Sequence, residues 1–396
     1  MNGTGSLLAS LECRACCSEV DPARVVGTCP TCGHALLATY DLRKLDAHQW
    51  WERLSSRVTS LWRYRELLPV QQSDQVVTLG EGFTPVLPLA EVPAARGIRL
   101  LLKDDGGLPT GSFKARGMSV AVSRARELGL RRLFVPSAGN AGVALSAYGA
   151  RAGLAVRVYL PQRTPPSMKE GCAEYGSEVI EVAGTIREAG VEARERERMG
   201  AFDMSTLREP YRVEGKKTMG LEIVEQLRGE DFPDAIVYPT GGGTGLIGMY
   251  KAFQELKAVG LLTEGLPRLY SVQPEGCAPI VRALREEALR ATPWEDPFTI
   301  APGLLVPAPF ASERILEAVR GSKGGGVRVT DSEIVRAMRA LATTHGVSAS
   351  PEGAATYAAL GTLVRDRAIH SGETILLYNT GNGLPFRVSD LERAVG

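Results

Sequence analysis

The chain has 396 residues, and 46 lysines and arginines against 45 aspartates and glutamates leave a formal net charge of +1. A nucleic-acid or membrane-surface binder advertises a basic excess or runs of charge, so neither polyanions nor membranes are expected partners. With 44% hydrophobic residues and no apolar run of about 18 residues, the sequence predicts a soluble globular protein of two or three domains.

The cysteines come first along the chain. Five of the seven, Cys13, Cys16, Cys17, Cys29 and Cys32, fall within the first 32 residues. The start of the chain has neither a basic region nor a sustained apolar core, so no signal peptide is predicted and a reducing cytoplasm is the expected setting. Cys13-x-x-Cys16 and Cys29-Pro-Thr-Cys32 form two knuckles separated by twelve residues. Four thiolates so spaced can surround one zinc ion, with Gly27 and Gly33 suiting the turns; free or redox-active thiols are the alternative. Cys17 and His34 are expected bystanders. So short a segment cannot build a core alone, and zinc would substitute for one. Residues 42–68 hold Trp50, Trp51 and Trp62 and are expected to form a linker helix packing this module onto the body.

From residue 99 onward, short apolar runs alternate with helical patterns, which predicts an α/β fold with largely parallel strands. Strands are expected at 99–103, 132–135, 156–160, 178–182, 235–238, 269–273 and 374–378. Helices are expected at 120–128, 141–152, 221–227, 246–256 and 334–344, the last opened by the capping box Thr330-Asp-Ser-Glu333.

Four segments at strand ends carry candidate chemistry. Pro109-Thr-Gly-Ser-Phe-Lys114 delivers one lysine from a tight, uncharged turn, suited to a Schiff base if its amine is desolvated, or else to a helix-start surface position. Ser137-Ala-Gly-Asn140-Ala-Gly142 opens a helix whose amides, with the Ser137 hydroxyl, can grip a carboxylate, while Asn140 can reach a ring oxygen; a merely capped turn is the alternative. Thr240-Gly241-Gly242-Gly243-Thr244-Gly245 lets backbone wrap a phosphate at a helix start, a flexible turn being the alternative. No Lys-Ser/Thr follows and the dinucleotide fingerprint does not fit, which favours a small phosphate over a nucleotide. Asn379-Thr380-Gly-Asn-Gly383 places the Thr380 hydroxyl where it could meet a heteroaromatic nitrogen; ordinary turn chemistry is the alternative.

In this order the four motifs resemble the fold-type II pyridoxal-phosphate enzymes, the tryptophan synthase beta-like group, over roughly residues 79–384. Within that group the chain is similar to the threonine synthases, through Gly80-Glu-Gly-Phe-Thr-Pro85, Ser112-Phe-Lys114, Arg212-Val-Glu-Gly-Lys-Lys-Thr218 and Thr380-Gly-Asn-Gly383. The resemblance implies an α/β fold of two open domains with an N-terminal zinc-ribbon-like module at 1–40. The large cofactor-binding domain would be 41–118 with 212–396, and the small mobile domain 119–211. It implies a lyase that converts O-phospho-L-homoserine and water to L-threonine and phosphate, as a cytoplasmic homodimer. Lys114 would bind pyridoxal 5'-phosphate covalently and shuttle protons, Asn140 its phenolic oxygen, Gly241 through Gly245 its phosphate, and Thr380 its ring nitrogen. Ser137 would take the substrate carboxylate; Arg212, in a basic strip with Arg208, Lys216 and Lys217, would take the substrate phosphate together with Ser205 or Thr206, a solvated helix start neutralised by Glu209, Glu214 and Glu222 being the alternative. Ala115 and the Gly241-Gly-Gly-Thr-Gly245 loop suit amino-acid ammonia-lyases equally, so a threonine or serine ammonia-lyase and a cysteate- or cysteine-synthase-type β-replacement enzyme remain alternatives.

Overall fold

A computed structural model describes residues 5–198 and 200–395, except for the side chain of residue 230. Residues 1–4 of the module and the last residue lie outside that description. The chain divides into two compact units. One comprises Met1–Phe83, Lys114–Leu221 and Lys251–Thr263, the other Thr84–Phe113, Glu222–Tyr250 and Glu264–Gly396.

The first unit begins with a three-stranded antiparallel sheet in which Leu8–Cys13 lies between Ser18–Val20 and Leu37–Tyr40. Its interior among the described residues is Leu8, Leu11, Val20, Ala35, Leu36 and Ala38 with Cys13 and Cys29. So small a core suits a staple beside its packing on the rest of the unit. Gly33 has the positive φ of 74° that its tight turn requires. Gly27 serves closeness instead: a Cβ there would lie 2.5 Å from the Arg208 carbonyl oxygen.

The expected linker helix is broken into three pieces, the 3-10 turns Leu42–Lys44 and Leu61–Leu67 and the α-helix Ala47–Leu54. Asp46 caps the α-helix by accepting from Gln49 N–H. The break falls in the Ser/Thr cluster that follows, where the Ser55 and Ser56 hydroxyls donate to the Glu52 and Arg53 carbonyls. Hydroxyls that bond nearby backbone compete with helix continuation. Trp50 is buried and donates its indole N–H to Glu66 over 2.9 Å within the linker, while the Trp62 indole reaches the body at the Ser119 hydroxyl over 3.1 Å.

The rest of this unit is a parallel sheet in the order Glu178–Val182, Ala155–Pro161, Arg132–Pro136, Phe202–Asp203, with helices between successive strands. The second unit has a six-stranded sheet in the order Gly325–Val329, Arg268–Pro274, Ala235–Pro239, Thr374–Asn379, Arg99–Asp104, Val86–Pro88. All its pairings are parallel except that of Val86–Pro88 with Arg99–Asp104. Thr374–Asn379 is buried at every position, as expected of a central parallel strand covered on both faces. The expected strands recur within a residue or two. Thr330 opens Asp331–His345 with the predicted reciprocal capping box. No helix among the described residues is long and apolar enough to cross a membrane.

Candidate active site

In the first unit, two of the singled-out residues open helices that cross tightly. Lys114 is the first residue of the helix Lys114–Glu127, and Arg212 the first of Arg212–Gln226. The helices meet at two glycines. A Cβ on Gly215 would lie 2.1 Å from the Arg116 carbonyl oxygen, and one on Gly117 would lie 3.0 Å from that of Arg212. Only backbone without side chains allows such an approach. Arg116, fully buried, fastens the crossing by donating to the Thr218 hydroxyl over 3.0 Å. The lysine helix and the arginine helix are therefore held start against start.

The third helix of this unit, Asn140–Ala152, packs on the lysine helix and follows the strand Arg132–Pro136. Gly139 ahead of it has φ 144° and ψ −104°, a conformation open to glycine almost alone. The Ser137 hydroxyl accepts from the N–H groups of Gly139 (3.1 Å) and Gly142 (2.9 Å). It thus shapes the loop and is itself buried. Asn140 is only partly buried at the helix's amino end, where backbone amides and helix dipole favour an anion.

The segment before Arg212 is built around two carboxylates. Asp203 accepts from both the backbone and the hydroxyl of Ser205, while Thr206 lies partly buried beside it. Glu209 accepts the N–H of Tyr211 (2.8 Å) and of Arg212 (2.9 Å). Burial pushes the Glu209 carboxyl up to about 7, against the pull of the Arg212 charge and the two amides. The Arg212 guanidinium donates to the Met204 carbonyl over 2.6 Å. The basic strip turns inward: Arg212, Lys216 and Lys217 are buried, and Arg208 is half-buried. Lys217 pairs with Glu214 (2.8 Å) and Glu255 (2.9 Å). Arg212 is thus tied to the loop before it through Glu209 and the Met204 carbonyl, and Lys217 belongs to a separate ion cluster.

Glu81, in the Gly80-Glu-Gly stretch, was not legible as a site residue. It is fully buried and accepts from the Tyr148 hydroxyl (2.5 Å), the Ser119 hydroxyl (2.6 Å), the Thr78 hydroxyl (2.9 Å) and the Trp62 indole (3.2 Å). Burial, with the Glu81 charge beside it, drives the Tyr148 phenol far above its usual range and keeps it protonated. The only sequence signal for this network was a carboxylate between two glycines of positive φ, Gly80 and Gly82.

In the second unit, the turn leading to the lysine is paired with the terminal loop. Thr110 and Gly111 both take positive φ, 64° and 68°. Ser112 forms a bridge with Gly381, and Phe113 donates its N–H to the Thr380 carbonyl over 2.9 Å. Thr380 is buried at the end of Thr374–Asn379, as the spacing predicted. The buried Ser112 hydroxyl has no hydrogen-bond partner among the described residues.

The glycine loop follows Ala235–Pro239 and opens the helix Thr244–Ala258. Three of its glycines are explained by crowding. A Cβ on Gly241 would meet the Gly303 carbonyl oxygen at 2.3 Å, one on Gly243 would meet Ile315 at 2.2 Å, and one on Gly245 would meet the Tyr238 hydroxyl at 2.0 Å. Gly242, partly exposed, sits between them. Bare backbone at the positive end of a helix is the arrangement that holds a small phosphate. A phosphorylated, ring-bearing cofactor fits the chemistry of this set: a turn of bare amides, a buried hydroxyl on Thr380, and the unpartnered Ser112 hydroxyl.

The Cys13, Cys16, Cys29 and Cys32 sulfurs lie within 4.8 Å of one another, with Cys13–Cys32 at 3.4 Å and Cys16–Cys29 at 3.6 Å. Zinc–sulfur bonds of about 2.3 Å in a tetrahedron require sulfurs about 3.8 Å apart, so the four thiols fit one ion.

Fold and site together define a cofactor-dependent α/β enzyme, and a family model described as "Pyridoxal-phosphate dependent enzyme" matches residues 77–381. The chain is 36% identical over 376 residues to the threonine synthase of Methanosarcina acetivorans, covering 94% of this chain and 91% of that one. It is 34% identical to that of Methanocaldococcus jannaschii, covering 94% and 92%. The chain belongs to the pyridoxal-phosphate-dependent enzymes, and among them to the threonine synthase family. Among solved structures, a threonine deaminase from T.th. aligns with TM-score 0.63 at 26% identity, covering 76% of this chain and 92% of that one. Diaminopropionate ammonia lyase from Escherichia coli aligns with TM-score 0.69 at 15% identity, covering 90% and 93%, and shows the shared fold alone.

Proposed function

We infer that the protein is a pyridoxal-phosphate-dependent lyase that converts O-phospho-L-homoserine and water to L-threonine and phosphate. The observation that carries this reading is the likeness to threonine synthases across 94% of the chain, amino-terminal module included. Lys114 would hold the cofactor covalently. Gly241 through Gly245 would hold its phosphate, Asn140 its phenolic oxygen, and Thr380 its ring nitrogen. When bound, the cofactor supplies an electron sink that makes protons at Cα and then Cβ of the amino acid removable.

The remaining work falls to the chain's own side chains. The Lys114 amine would be the base and acid that moves those protons. Ser137 shapes the Asn140 loop so that its amides face the substrate carboxylate. Arg212, aided by Ser205 or Thr206, binds the phosphate that will leave, because a guanidinium grips a phosphate through two parallel donors. Thr380 offers a hydroxyl where an aspartate would offer charge, which weakens the sink and favours elimination over transamination. The same reading assigns one zinc ion to Cys13, Cys16, Cys29 and Cys32 in a structural role, and takes the protein as a cytoplasmic homodimer. A steady-state comparison of O-phosphohomoserine, threonine, serine and O-phosphoserine tests the reading. Phosphate and threonine from the first support it, whereas ammonia and 2-oxobutyrate from threonine, with no phosphate release, refute it.

A further inference from the structure

Several contacts of the cysteine module converge on the stretch of chain around Arg212. Gly27 lies against the Arg208 carbonyl, as its 2.5 Å Cβ clearance shows. The Pro22 carbonyl accepts from Arg124 over 2.7 Å and from the Tyr211 hydroxyl over 3.4 Å. Tyr40, the last residue of the module's third strand, donates its hydroxyl to Glu214 over 2.9 Å. Lys217 sits over the Tyr40 ring, 3.8 Å from its centroid, and Lys251 lies 4.7 Å from it. Lys251 also bonds Glu214 (2.9 Å) and Glu255 (2.7 Å). One phenol from the module therefore completes a cluster of two lysines and two glutamates.

Glu214 and Lys217 are both fully buried and stand on the first turns of the helix that Arg212 opens. Buried charges tolerate displacement poorly, because each must keep its partners at bonding distance. The cluster therefore fixes the helix start from the module side, while Glu209 and the Met204 carbonyl fix Arg212 from the loop side. Nothing in the proposed chemistry uses Tyr40, Glu214 or Lys217 directly. Their arrangement instead sets where the guanidinium stands, and small misplacements of a substrate-binding group cost binding and rate steeply.

We propose that Tyr40 is a positioning residue for the substrate's phosphate, acting through Glu214 and Lys217 on the helix that carries Arg212. This rests on the assignment of Arg212 to that phosphate, so the experiment includes a variant that tests the assignment separately. Full-length, cofactor-loaded protein with Tyr40→Phe, Tyr40→Leu or Arg212→Gln is assayed for kcat, for KM with O-phosphohomoserine, for the inhibition constant of inorganic phosphate, and for cofactor absorbance. Tyr40→Leu, which removes both hydroxyl and ring, is expected to raise KM and the inhibition constant about tenfold, and Tyr40→Phe about threefold. In both, kcat and cofactor absorbance stay within about twofold of the parent. Amide hydrogen exchange is expected to quicken over 205–217 in Tyr40→Leu. A purely structural role would lower the melting temperature without separating KM from kcat. If Tyr40→Leu does not fold, the isosteric Tyr40→Phe decides alone. Unchanged KM and phosphate inhibition in the Tyr40 variants, alongside a rise in Arg212→Gln, overturn the inference while sparing the assignment. No change in Arg212→Gln overturns both.

Discussion

Phe113 donates its backbone N–H to the Thr380 carbonyl over 2.9 Å, so the residue before the candidate catalytic lysine is pinned to the loop that bears the candidate partner of the cofactor ring. The 2.9 Å bond from Asn382 N–H to the Gly111 carbonyl is its counterpart, and the two bonds together make the Ser112–Gly381 bridge that pairs the two loops. The turn that leads to the lysine is thereby clamped to the terminal loop.

Lys114→Ala is expected to abolish the visible absorbance of covalently held cofactor and to lower phosphate release by about 10³-fold or more, the scale of losing a positioned acid and base. Because the clamp consists of backbone bonds that the substitution leaves intact, the melting temperature of the cofactor-free variant is expected to match that of the cofactor-free parent. Absorbance spectroscopy and thermal melting check the two halves independently.

Gly241→Ala is expected to weaken cofactor binding more than it slows chemistry. Its new methyl would lie 2.3 Å from the Gly303 carbonyl oxygen, a backbone atom that can yield only if the turn Pro302–Leu304 moves. Overpacking of this kind costs about 1–3 kcal/mol, and the glycine loop would shift with it. Titration of the cofactor into cofactor-free protein should show an affinity about tenfold lower or worse, with kcat at saturating cofactor changed far less.

The chain order of strands and the four loops at their ends were legible because they rest on local signals: apolar runs, turn residues and a lysine out of place. What escaped was decided by contacts distant in sequence. The helix at Lys114 was expected only from residue 120, because Lys114-Ala-Arg-Gly117 lacks an apolar period. Its start is held by the crossing at Gly117 and Gly215, and the same crossing draws the second helix back from residue 221 to Arg212. The strand Gly325–Val329 was hidden by three glycines in a row. They suggest a loop, yet Gly324 and Gly326 leave no room for a Cβ, at 1.9 Å from the Leu269 carbonyl oxygen and 2.9 Å from Leu284. The inward turn of the basic strip was equally invisible, since Glu214 partners Lys217 locally but Glu255 and Tyr40 come from far along the chain.

Lys103 and Glu222 form a fully buried ion pair at 2.9 Å in the second unit. Lys103 also donates to the Thr84 carbonyl (2.6 Å) and to Gln226 (2.7 Å). Lys103→Met would leave the Glu222 carboxylate buried without its lysine, with the longer 3.2 Å bond from the Thr84 N–H still in place. The expected loss is about 3–5 kcal/mol of unfolding free energy, and a large part of it should return in Lys103→Met/Glu222→Leu, where no charge is stranded. Urea denaturation of the two variants measures the difference.

Glu209 gives the first unit a pH dependence whose sign follows from its burial. Its carboxyl is pushed up to about 7 in the folded protein from an ordinary value of 4.5, so between those values the folded chain holds a proton that the unfolded chain has released. Stability is proportionately lost as pH rises through this window, because the state that binds more protons is favoured at low pH. The groups facing it set the size of the effect: Arg212 and the Tyr211 and Arg212 amides favour the carboxylate, while Asp203 opposes it. A shift of this size corresponds to about 3 kcal/mol across the window. Glu209→Gln carries no titrating proton, so its unfolding free energy should fall less than the parent's between pH 5 and pH 8, and the two curves should converge toward pH 5 after a constant offset for the altered amide contacts. Parallel curves over the whole range would show that Glu209 is already ionised throughout, with Arg212 as the dominant influence on it.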